Sequence, residues 1–313
     1  MVGKTKKPLL FPSTMRDFAS CFSESAVKIS DTSCSGTGST SDGASSSSVR
    51  DSSSSVLSAV TCLYRARLST LKEVLLRVTW SRTHVGPAFS VSVDDGWNSD
   101  PAMNCQLVRK NKGTRSYVSG ESVVDLHWDI SSARYGSSSG PQPIGSFYLV
   151  VMVNRELGLL LGDMSDEYIK KQFDGTIPTA EFSMVVRKEQ VVGHSVYTTR
   201  SQLCDDGRNH EITIRCKADA WDSDLTVCID RKRVVRVRKL GWNFRGNRTI
   251  FVDRMPVDVM WDVHDWWFGN VSGGCAMFVL RARRGPESKL WLEEEALQGV
   301  SGFSLLIQVF KGS

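Results

Sequence analysis

The chain has 313 residues, of which 41% are hydrophobic, with nine Trp and 13 Phe, a net charge of +5 and a pI near 8.8. That length suits about two domains of ordinary size, and the apolar content suffices for packed cores without disulfide staples. The excess charge falls far short of a histone-grade polyanion binder, no stretch approaches the ~18 apolar residues of a membrane span, and the run Leu9-Leu10-Phe11 is too short for a secretory signal.

In chain order, residues 1–60 come first, and 13 of the 26 residues from Ser30 to Ser55 are serine. Such a segment buries too little to offset the entropy of ordering it, so a disordered, Ser-rich arm open to phosphorylation is expected there. Strands are predicted at 62–68, 75–80, 89–94, 106–110, 116–118, 123–130, 147–153 and 157–161 from alternating apolar residues and the turn chemistry between them. A short helix is predicted over 165–173, with Ser165 as its N-cap, acidic residues in its first turn and lysines toward its end. Further strands follow at 182–188, 195–200, 211–215, 225–230, 234–240, 249–252, 257–263 and 276–281, then a helix at 288–297 and a closing strand at 303–310.

The second set reproduces the first. Val124-Asp-Leu-His-Trp-Asp-Ile130 returns 133 residues later as Val257-Asp-Val-Met-Trp-Asp-Val263, and Tyr64, Arg67, Lys112 and Gly113 fall opposite Tyr197, Arg200, Arg245 and Gly246. Segments 75–80 and 89–94 match 211–216 and 225–230 at an offset of 136, as a loop of different length would produce. These matches predict an all-β protein of two tandem related antiparallel β-sandwich-like units by internal duplication: an arm over 1–60, a first unit over 61–164, a helical linker over 165–180 and a second unit over 181–313. The closing strand is free to add to either sheet. Trp128 and Trp261 lie on the apolar faces of their strands and are expected to be core residues.

The repeated Trp-Asp pair does not signal a propeller, whose blades recur about every 40 residues. Aspartates four apart on one strand are about 13 Å apart, too far to share an ion or a proton, so each is expected to pair with a cross-strand arginine or to satisfy a turn. His264, flanked by Asp262 and Asp265, is the most plausible acid/base or sugar-binding centre; it would need a carboxylate from another strand. Trp266 and Trp267 are adjacent, so on a strand one of them, Trp267, would be left for a ligand. No nucleotide loop or Ser/His/Asp elbow is present, the eight cysteines have no metal-finger spacing, and no catalytic residue, metal or cofactor is called for. Reduced thiols in an intracellular protein, cytoplasmic or nuclear, are expected.

The densest charge feature runs from Arg231 to Arg248 without one acidic residue. Val235 and Val237 alternate with Arg236 and Arg238, which predicts a strand with a basic outer row. Lys239, Arg245 and Arg248 extend the row, and Trp242 and Phe244 lie beside it, the mixture that single-stranded nucleic acid, acidic proteins or lipid headgroups would meet. A solvated face paired with acids such as Glu293 to Glu295 is the competing reading.

Tyr64-Arg-Ala-Arg67, Phe89-Ser-Val-Ser-Val-Asp-Asp95, the segment 124–130, Leu159-Leu-Leu-Gly-Asp163, Arg187-Lys-Glu189, Trp242-Asn-Phe-Arg-Gly-Asn247 and the segment 257–267 together resemble the plant-specific domain of unknown function 868 family. The likeness runs from about Met15 to Phe310. It implies a plant source and an intracellular protein, and it transfers no catalytic residue. Residues 105–110 depart from the Trp-rich sequence of relatives, so that strand is expected to be shorter or packed differently. The expected function is a non-enzymatic binding or adaptor module whose basic strand meets an anionic protein, nucleic acid or lipid headgroup; the alternative is a β-sandwich carbohydrate binder or hydrolase centred on Asp262, His264 and Asp265.

Overall fold

The computed structural model describes residues 56–83, 86–94, 105–136, 140–173, 177–193, 196–203, 207–217, 223–268, 274–283 and 302–311. Those residues form an all-β protein carrying two short helices. The arm up to residue 55 and the helix expected at 288–297 lie outside them.

Alternation decides the faces from the first strand. β1 (Val56–Arg67) buries Val60, Cys62, Tyr64 and Ala66, and β2 (Glu73–Thr83) buries Val74, Leu76, Val78 and Trp80. With β3 (Gly86–Asp94) and β4 (Gln106–Val108) they make an antiparallel meander. β5 (Lys112–Ser119), β6 (Ser122–Asp129), β9 (Tyr148–Val153) and β10 (Glu156–Leu161) form a second sheet in the order β10-β9-β6-β5, while β7 (Arg134–Tyr135) and β8 (Pro143–Gly145) make a small ribbon. The two sheets share one apolar core, in which Phe147 packs edge to face on Trp80 and Trp128 on Phe89, with Trp80 and Phe89 tilted against each other. α1 (Ser165–Gln172) then covers the outer face of β9 with Tyr168 and Ile169.

The second half repeats this strand order. β12 (Val196–Gln202), β13 (Asn209–Lys217), β14 (Asp224–Ile229) and β15 (Lys232–Arg238) form a four-stranded meander. It faces β16 (Arg245–Val252), β17 (Met255–Asp262), β18 (Cys275–Ala282) and β19 (Ser304–Phe310) across a second core. Between the halves runs β11 (Glu181–Val192), antiparallel to β1 and parallel to β19. It welds the first meander to the second half in one nine-stranded sheet, β16-β17-β18-β19-β11-β1-β2-β3-β4. The closing strand thus adds to the second half and to β11 at once.

One set of contacts recurs in both halves. The Trp128 indole donates to the Lys110 carbonyl at 2.9 Å and lies over Gly113; the Trp261 indole donates to the Asn243 carbonyl at 3.0 Å and lies over Gly246. Both glycines are needed, because a Cβ would fall 2.9 Å from the first ring and 2.3 Å from the second. Both tryptophans are buried.

Four expectations need correction. The strand predicted from 62 starts at Val56, because the apolar residues just ahead of it pair with the end of β11, so the arm stops short of residue 60. Ser165 is the first helical residue rather than the cap; Met164 precedes it, and the Ser165 hydroxyl donates to the Gly162 carbonyl. Residues 264–268 form a helical turn, α2 (His264–Phe268), which puts Trp266 in the core and packs Trp267 against it, so neither follows strand alternation. β4 keeps only three residues of the predicted 106–110, in keeping with the departure at 105–110.

Candidate functional site

β15 is the outer strand of its meander, and among the described residues no strand pairs with its far side. Its register against β14 shifts between Val227 and Cys228, so Val234 is an extra residue. That bulge places Arg233, opposite Cys228, on the same outer face as Arg236 and Arg238, while Val235 is buried and Val237 packs on the core. A regular strand would have turned Arg233 to the other side.

The strand ends at Arg238; Lys239, which follows, has a positive φ, and Leu240 turns into the core. Backbone bonds from Trp242 and Asn243 to the Lys239 carbonyl, and one from the Asn243 amide group to the Arg238 carbonyl, fix the corner into β16. Trp242 itself stays 86% exposed. A firmly held corner therefore offers a solvated indole at the end of a basic row.

The cations of the row divide in two. Arg236 pairs with Asp224 at 3.1 Å and Arg245 with Asp262 at 2.7 Å. Arg233, Arg238, Lys239 and Arg248 are exposed and make no ion pair among the described residues; Glu293 to Glu295 lie outside them. Arg245 and Asp262 repeat a pair of the first half, Lys112 and Asp129 at 2.9 Å. Burial works against the Asp129 charge, but the Lys112 ammonium and the Ser131 amide hold its carboxyl below the usual range. The strand aspartates thus have local partners, Asp125 with Ser116, and Asp258 with Thr249 and Arg283.

His264 sits at the start of α2. Its backbone amide donates to Asp262, its Nδ1 lies 2.9 Å from Asp265, and its ring packs on Phe244 and Phe268. These carboxylates are its own sequence neighbours. Trp267 is half-buried, packed on the core and against Gly241, whereas Trp242 is exposed.

A polar centre that the sequence reading did not single out lies on β11. Glu189 is fully buried and accepts from the Arg187 guanidinium at 2.7 Å, the Tyr197 hydroxyl at 2.7 Å and the Thr199 hydroxyl at 3.0 Å. Arg187 also donates to Gln142 at 2.7 Å and approaches the Cys62 sulfur. Burial opposes its charge, yet the Glu189 carboxylate beside it keeps the guanidinium more basic than usual, and burial pushes the Cys62 thiol up. Arg187 and Glu189 are two apart and share a face of β11 between the halves, whereas Lys188 points the other way, where burial brings its ammonium down to about 8. The partners of Arg187 and Glu189 come from both halves, Cys62 and Gln142 from the first and Tyr197 and Thr199 from the second, so the cluster reads as a joint between them. Its only prior signal was the motif Arg187-Lys-Glu189, which on a strand resembles an ordinary charge run.

Among the described residues no group of three or more His, Cys, Asp or Glu could hold a metal, and no helix is long and apolar enough to cross a membrane. A family model described as plant protein of unknown function (DUF868) matches residues 55–311. The match covers both halves and begins after the Met15 segment of the resemblance. No curated protein and no solved structure matches the chain.

Proposed function

The chain belongs to that family of plant proteins of unknown function, a membership that supplies architecture but no chemistry, and we propose that it is a non-enzymatic binding module that meets an anionic partner along β15. One observation carries the reading: on β15 and the corner that follows it, Arg233, Arg238 and Lys239 are exposed and make no ion pair among the described residues, the corner holds the exposed Trp242, and Arg248 is exposed on β16. Cations on an edge also deter sheet-to-sheet aggregation, but that role needs no exposed indole on a corner fixed by three hydrogen bonds to backbone carbonyls. We read the matched halves as descendants of one unit, with the binding edge developed in the second, and we place the protein inside the cell, in cytoplasm or nucleus.

Because Arg236 and Arg245 are held by aspartates, the informative charge reversals are R233E, R238E, K239E and R248E. Capture of the full-length protein on an immobilised polyanion should weaken with rising salt. Combined reversal should remove that capture, W242A should reduce it, and R236E should have the smaller effect. Equal retention of the quadruple variant and the unmodified protein would overturn the proposal.

A further inference from the structure

We infer that one end of the molecule docks on an anionic lipid bilayer. The registers put the tips of both halves at that end, beyond the start of β11. In the first half, β1 finishes with Arg67 opposite Glu181, the first residue of β11. In the second, Val257 pairs with Ala282, Arg281 with Ser304 and Ser304 with Val186, so the turn between β16 and β17 projects the same way.

Three apolar side chains stand out from these tips: Leu71 is 69% exposed, Val118 68% and Phe251 75%. Single exposed apolar residues are ordinary. Here Val118 is paired across its hairpin with Val123, also exposed, and Phe251 with the half-buried Pro256, so both hairpins turn apolar side chains to water.

The charge comes from the second half. Its two tight turns, Asp230-Arg231 and Asp253-Arg254, have positive φ at both residues, a conformation that normally favours Asn and Gly. His210 holds them together: its Nδ1 lies 2.8 Å from Asp230 and its Nε2 2.8 Å from Asp253. Each turn therefore directs its acid inward and its arginine outward. Arg208 sits beside both aspartates, at 3.5 and 3.9 Å. The first half brings Glu73, Glu121 and Glu181 to the same end together with Arg67, Lys72 and Arg155, so its charges offset one another; headgroup contact is assigned to Arg208, Arg231 and Arg254, and apolar insertion to all three tips.

A bilayer suits this arrangement better than a nucleic acid or a peptide does. Projecting turns reach a plane, headgroups take the arginines, and the acyl boundary takes Phe251, which a phosphate backbone would leave exposed. The inference is independent of the β15 surface, and the variants below separate the two.

The test is co-sedimentation of the full-length protein with vesicles of phosphatidylcholine alone and of phosphatidylcholine with phosphatidylserine, at about 0.1 M salt. Binding to the anionic vesicles only is expected. R231E/R254E should lower the partition by about a hundred-fold or more, and F251S, which leaves the charge intact, by about ten-fold. R238E/K239E, on the other surface, should stay within about two-fold of the unmodified protein. Failure of the unmodified protein to bind anionic vesicles would overturn the inference. So would undiminished binding by both R231E/R254E and F251S, or a loss of RNA capture in R231E/R254E without vesicle binding by the parent.

Discussion

Trp128 and Trp261 sit in matching surroundings, while the borders of the sandwiches around them differ. Each indole donates to the carbonyl 18 residues upstream and covers a glycine 15 residues upstream. At the border, β4 is three residues long and β15 is seven, bulged and basic. The tip of the first half is tied by the Ser119 hydroxyl to the Val93 carbonyl, and that of the second by His210 between two aspartates. The difference teaches where sequence is free to vary. Interior pillars must satisfy packing and a buried N–H together, whereas edges and tips face solvent and can be reshaped for a partner.

The largest effect should come where the halves meet. Glu189→Leu would leave the Arg187 guanidinium buried without its carboxylate and strip Tyr197 and Thr199 of their acceptor, at a cost of about 3–5 kcal/mol in denaturant unfolding. Replacing both members, Arg187→Met with Glu189→Leu, should recover much of that loss, since removing the pair leaves no unmatched charge. Because β11 lies in the sheet of both halves, hydrogen exchange should rise in both. A loss confined to the second half would mean that the network serves that half alone.

The pillars themselves provide a finer comparison. An alanine Cβ at Gly246 would approach the Trp261 ring to 2.3 Å, against 2.9 Å for Gly113 and Trp128. Overpacking of this kind costs about 1–3 kcal/mol, so Gly246→Ala should destabilise the protein more than Gly113→Ala. Equal thermal shifts would show that the second pillar relaxes more easily than its geometry implies.

Much of this architecture could be read from residues alone, since a period of two over β6 and β17 places both tryptophans inward and one offset relates their neighbours. The joint could not. Arg187, Lys188 and Glu189 alternate across β11 like any charged run, and only the pairing of β11 with β1 and β19 shows that the strand is covered on both sides. Helix α2 was missed because four apolar or aromatic residues in Trp261 to Trp267 fit a strand as well as a turn of helix. At the basic surface, composition located the cations, but the cross-strand register decided which of them were already neutralised. His210 gave no local cue, because its two partners come from turns 20 and 43 residues away.

The smallest effect lies at the tip of the first half. Ser119→Ala removes one hydroxyl donor from a buried site, which should cost about 1 kcal/mol. His210→Ala removes two hydrogen bonds to carboxylates and leaves Asp230 and Asp253 facing each other with Arg208 nearby, for about 1–3 kcal/mol. The two losses also differ in their dependence on pH. The His210 hydrogen bond and the Glu211 amide hold the Asp230 carboxyl below its usual 3.8. A carboxyl so depressed contributes stability that is fully present above 3.8 and disappears as pH falls through its lower folded value. The gap between His210→Ala and the unmodified protein should therefore narrow in acid, whereas Ser119→Ala, which involves no titrating group, should run parallel to it. Denaturation midpoints measured from neutral pH down to about 3 would check this, and a parallel course for His210→Ala would show that packing of the ring, rather than its two carboxylate partners, holds the second tip together.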